Sequence, residues 1–109
     1  MKLGSLKFGG VIYAVKTKSN LIDPDFGACW GLCDHDTETI WLYEGMSKGR
    51  FLDTLFHEMV HACQVVLAKG QSIQDMRLYE KEDIADAIGV GFSQNYEEFA
   101  RLWRAYKAL

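Results

Sequence analysis

Two hydrophobic periods divide the chain. Up to about residue 45, apolar residues come in short β-branched and aromatic runs separated by glycine-rich or polar breaks. Beyond it they recur every three or four positions. Phe8, Val11, Ile12, Tyr13 and Val15, with charges at the ends and Gly9-Gly10 in the middle, predict a strand over about Lys7 to Lys16, bent or bulged at the glycines. Asn20 to Gly27 holds the only proline, Pro24, between two aspartates and reads as a loop. A second strand over about Ala28 to Cys33, the turn formers Asp34 to Glu38, and a third strand Thr39 to Tyr43 predict a hairpin.

The helical period then takes over. Ser47 is a candidate N-cap for a helix over about Gly49 to Lys69, with Gly70 just past its end. Gln71 to Met76 reads as a polar connection. A second helix is expected from about Tyr79, carrying Ile84, Ala85, Ile88 and Phe92 at helical spacing, with Gly89 and Gly91 allowing close approach to the first. Asn95 followed by Glu98 resembles a capping box and predicts a third helix over about Tyr96 to Ala108, presenting Phe99, Leu102, Trp103 and Tyr106. The expected fold is α+β: a small N-terminal antiparallel sheet of about three strands followed by three helices, in one domain spanning residues 1–109.

Within the first helical pattern lies His57-Glu58-Met59-Val60-His61, an H-E-x-x-H motif. Leu52, Leu55, Phe56, Met59, Val60, Cys63, Val66 and Leu67 form a broad apolar stripe around it, and Asp53, His57, His61 and Gln64 form a polar line. Residues four apart share a helix face, so both imidazoles can meet one metal ion while the Glu58 carboxylate reaches a metal-bound water. Two neutral imidazoles, an open coordination position and a base make up the chemistry of a zinc hydrolase. Without a metal the same spacing describes two surface histidines on an amphipathic helix.

Composition narrows the reading. A net charge of -3 with scattered Lys and Arg gives no footprint for general nucleic-acid binding. A hydrophobic content of 49% supports a folded core, yet no run is long enough to span a bilayer. The start, Met1 to Ser5, is not followed by a signal-peptide core, so a cytoplasmic location is expected. The three cysteines, Cys29, Cys33 and Cys63, are read as free thiols, Cys63 in the core and the others half-buried on a strand. Trp30, Trp41 and Trp103 are read as core, with a groove lining as the other option.

A catalytic zinc takes three protein ligands plus water. The third histidine, His35, lies upstream in the hairpin turn, so the third ligand is sought among the acids opening the second helix: Glu80, Glu82, Asp83 and Asp86. Glu82 is preferred because small residues nearby, Ala85 and Gly89, would let the two helices approach, and Glu80 is the second choice. Asp86 is a candidate hydrogen-bond partner of a liganding imidazole. As a plain first turn these acids would simply complement the helix dipole.

The segment Asp53 to Ala62, followed by Glu82-Asp83-Ile84-Ala85-Asp86-Ala87-Ile88-Gly89, resembles the small zincin-like metallopeptidases. It is similar to the H-E-x-x-H…E-x-x-A pattern of ImmA/IrrE-type gluzincins and to short phage and bacterial proteins of the same minimal design, including SprT-like ones. The resemblance covers about Ile40 to Gln94. It departs at Asp86, where that pattern has asparagine, and at Ile88-Gly89, where it has phenylalanine and alanine. It implies a zincin-like arrangement with the metal between the first and second helices, zinc on His57, His61 and Glu82, and Glu58 as base. It further implies a peptide or protein substrate, which could pair with the strand Ile40 to Tyr43 as a sheet edge. Attack on a peptide carbonyl would also need a second electrophile, for which His35, Tyr79 and Tyr96 are candidates. The other functional class is a catalytically inactive, zinc-stabilised module that binds a protein partner.

Overall fold

The computed structural model describes residues 1–67 and 82–109. Strands β1 (Lys2–Phe8) and β2 (Val11–Lys18) form an antiparallel hairpin. The expected single strand is therefore two, and Gly9-Gly10 is the turn joining them. Gly9 sits at φ 62°, in the left-handed region that a tight turn demands and that side chains resist. The segment read as a loop holds a small ribbon, β3 (Ile22–Asp23) with β4 (Gly27–Ala28). Asp23 closes it by accepting the Asp25 and Phe26 N–H groups on Oδ1 at 2.7 and 3.2 Å. Strands β5 (Gly31–Asp34) and β6 (Thr39–Tyr43) form the expected hairpin. Asp34 Oδ1 accepts from the Asp36 and Thr37 N–H groups at 3.0 and 3.3 Å in its turn.

Helix α1 (Lys48–Leu67) begins where expected, with Ser47 Oγ accepting the Arg50 N–H at 3.3 Å as its N-cap. Helix α2 (Glu82–Lys107) runs unbroken through Asn95. The expected second and third helices are thus one, and the described residues hold two helices rather than three. Asn95 caps nothing. Its side chain, 1% exposed, accepts the Lys7 N–H at 2.6 Å and donates to Lys7 O at 2.7 Å and Gly91 O at 2.8 Å. A residue that favours helix ends is tolerated in mid-helix because a strand satisfies it.

The sheet also differs from expectation. It has four strands in the order β1-β2-β6-β5 and is mixed, because β2 and β6 run parallel. Strand β6 is consequently interior, paired on both sides, and cannot be the edge that accepts a peptide. The edge next to α1 is β5. One face carries Leu6, Phe8, Tyr13, Val15, Ile40 and Leu42 against both helices, with Leu55, Met59, Leu102 and Phe99 completing the core. Helix α2 lies mainly over β1, and α1 over β5 and β6. Gly91 meets α1 at Met59, where a Cβ would fall 2.9 Å from Sδ. On the opposite face Trp41 is half-buried beneath Lys18 Nζ, 4.3 Å from its ring centre, whereas Trp30, just before β5, is half-exposed beside Arg50 of α1. Of the three tryptophans only Trp103 packs against the core. Among the described residues no helix is long and apolar enough to cross a membrane.

Tyr106 ties the end of α2 to the entrance of α1. Its hydroxyl donates to Tyr43 O at 2.6 Å and accepts the Met46 N–H at 2.7 Å. Tyr106→Phe leaves both main-chain groups without that partner. It is expected to lower stability by about 1–3 kcal/mol in urea denaturation, and an unchanged midpoint would show that water replaces the hydroxyl freely.

Candidate active site

The H-E-x-x-H segment lies in the middle of α1, with Leu55, Met59, Ala62 and Cys63 buried against the sheet and α2. Core packing sets the helix rotation, and that rotation turns His57 and His61 outward together. Their Nε2 atoms lie 3.1 Å apart with the ring planes at 75°. Two nitrogens bound to one tetrahedral zinc at normal bond lengths are separated by ~3.3 Å, so the separation of the pair is close to that of two ligands on one metal. Without a metal, one imidazole must donate to the other.

Glu58 lies beside the pair. It is 7% exposed, and its nearest ion-pair partner among the described residues is His57 Nε2, 3.9 Å from Oε1. Burial pushes its carboxyl above the usual carboxylate range, Asp23 adds to this, and His57 opposes it. Burial lowers His61, with the positive charges of His57 and His35 acting in the same direction, which favours the neutral ligand form. Strand β5 reaches this close to α1 only because residue 31 is glycine. A Cβ there would lie 2.5 Å from Thr54 Cγ2 and 3.1 Å from Glu58 Cγ.

His57, Glu58 and His61 line a cleft of about 370 Å³ whose far wall is built by Asp23, Phe26, Cys33 and His35. All three histidines of the chain therefore face one space. His35 is held by Tyr13, whose hydroxyl is 3.0 Å from Nδ1, while Cys33 Sγ is 3.6 Å from the same nitrogen. Burial, reinforced by nearby carboxylates, raises both Tyr13 and Cys33 to about 12, so both keep their protons. Two protonated groups facing Nδ1 favour the tautomer with the proton on Nε2. Burial also lowers His35, against the pull of Asp34 and Asp36.

Comparison of the chain with family models, with curated proteins and with solved structures finds no match in any of the three.

The sequence-derived residues fare differently. His57, Glu58 and His61 come together as their spacing requires. Glu82 is the first residue of α2, but its side chain lies outside the described residues, as do Glu80 and Tyr79 altogether. Among the described residues no group of three or more His, Cys, Asp or Glu is placed to hold a metal, so the ligand set they supply is the imidazole pair. Tyr96 is exposed and bonds Glu97, and it does not line the cleft. Cys29, Cys33 and Cys63 are free, with Cys63 buried. Sequence reasoning passed over Asp23, Phe26 and Gly31. The only local signal for the first two was the Pro24 turn that sits between them.

Proposed function

We propose that this chain is a zinc-dependent hydrolase acting on peptide bonds. The observation that carries the reading is the convergence of His57 Nε2 and His61 Nε2 at 3.1 Å in the cleft that Glu58 also lines. His57 and His61 would hold the metal as neutral imidazoles, and Glu82, from the start of α2, is the proposed third ligand. Zinc, when bound, supplies a Lewis acid able to bring a water's pKa toward ~7.

Glu58 then takes the water's proton and returns it to the leaving amine. Its burial suits this role, since a carboxylate held in low dielectric is a stronger base than one in water. His35, with Nδ1 engaged by Tyr13, offers its Nε2–H to the charge developing on the substrate's carbonyl oxygen.

The substrate's path follows from strand register. Trp30 O accepts the Tyr43 N–H at 2.8 Å, and this pair is in register with Gly31↔Leu42. Hydrogen-bonded pairs alternate along antiparallel strands, so Leu32 bonds toward β6 while Gly31 and Cys33 turn their main-chain groups to the free edge. An extended peptide added there would pass over Glu58.

The first test is metal content by elemental analysis of wild type beside His61→Ala. About one zinc per chain, lost in the variant, is expected from a site of this kind. A folded wild type that takes up no zinc on reconstitution overturns the proposal.

A further inference from the structure

The centre of the proposed site is flanked by two hollows rather than one. Both are lined by Gly31, His57 and Glu58. On one side the wall ends in Phe26, at the tip of the β3–β4 ribbon, 88% exposed and facing the cleft. On the other side a hollow of about 250 Å³ is walled by Trp30, Arg50, Asp53 and Thr54. Trp30 is half-exposed but held in place, edge-on to Tyr43 at 5.6 Å and beneath the Arg50 guanidinium at 5.2 Å.

Phe26 has no folding role that accounts for its position. The ribbon is closed by Asp23 and by main-chain bonds, not by Phe26. An aromatic ring left in water at the mouth of a cleft is placed to cover apolar surface on something that enters. A strand crossing Gly31 along the β5 edge would carry residues on either side of the bond at Glu58 toward Phe26 and toward Trp30 respectively.

We infer that Phe26 and Trp30 are specificity-determining residues that seat bulky apolar side chains on the two sides of the bond presented to Glu58, and that the substrate class is extended polypeptide with such a pair. The inference rests on the hydrolase reading for its orientation, but it concerns binding and can be tested without turnover. The β3–β4 ribbon thereby gains a purpose: it carries Phe26 to the cleft.

The experiment measures binding of fluorescein-labelled peptides by anisotropy to the full chain carrying Glu58→Gln, with and without added zinc. One peptide series has leucine or phenylalanine at two adjacent central positions, and the other has alanine or serine there. The apolar pair is expected to bind ~10-fold or more tighter, as removal of a large apolar group from water requires. Phe26→Ser, at a position too exposed to affect folding, and Trp30→Ala, checked for folding by circular dichroism, should each reduce that preference without weakening the alanine and serine peptides. No preference, a preference unmoved by both variants, or no peptide binding at all overturns the inference. Cleavage by wild type without apolar preference sinks the inference and leaves the hydrolase reading standing. Apolar preference without cleavage does the reverse.

Discussion

Glu58→Gln is expected to keep zinc at the wild-type stoichiometry and to hydrolyse peptides ~10²–10⁴-fold more slowly, the range associated with loss of a positioned general base. The substitution preserves shape, which matters because Glu58 Cγ packs where strand β5 approaches at Gly31. It also removes a group whose ionisation opposes folding. Burial raises the Glu58 carboxyl, so the folded state disfavours its charged form, and that penalty is present at pH values above the carboxyl's titration range and absent below it. The uncharged amide carries no such penalty, so thermal stability at neutral pH should be equal or higher in the variant. Initial rates measured beside elemental analysis separate the two effects. Full activity in Glu58→Gln removes the carboxylate from the mechanism, whereas zinc lost together with activity would mean that Glu58 shapes the metal site.

Asn95→Ala should be strongly destabilising although it lies away from the cleft. It deletes three hydrogen bonds made by a side chain 1% exposed, and it leaves both the N–H and the C=O of Lys7 facing a helix without that partner. At about 1–3 kcal/mol for each buried group left unmade, the loss should reach about 3 kcal/mol or more. Gln94 supplies the control. Its Oε1 accepts the Gly9 N–H at 2.9 Å in an exposed contact, and water can replace it, so Gln94→Ala should stay under about 1 kcal/mol. Urea denaturation of the two variants side by side would refute the anchoring role if their midpoints fell together.

The strand–turn–strand β5–β6, the Ser47 cap and the H-E-x-x-H helix were all legible in the sequence, because each is set by neighbours a few positions away. Asp34 supplies its own turn, Ser47 its own cap, and a four-residue spacing places His57 above His61 wherever a helix forms. Asn95 shows the opposite case. Its local chemistry is that of a helix start, and only the edge of β1, 88 residues away in sequence, turns it into a mid-helix anchor. Likewise Gly9-Gly10 permits a bulge or a turn, and the pairing of Phe8 with Val11 decides for the turn.

By itself, then, the sequence determined the local elements and the line of polar residues on α1, since periodicity and capping act over one or two turns. Tertiary structure alone decided that β2 and β6 run parallel, that β6 is interior and β5 the edge, and that His35 and Phe26 join His57, Glu58 and His61 around one cleft. Strand order and the convergence of distant loops depend on which apolar faces are buried together. Burial is a non-directional force, and it leaves no mark at any one position of the chain.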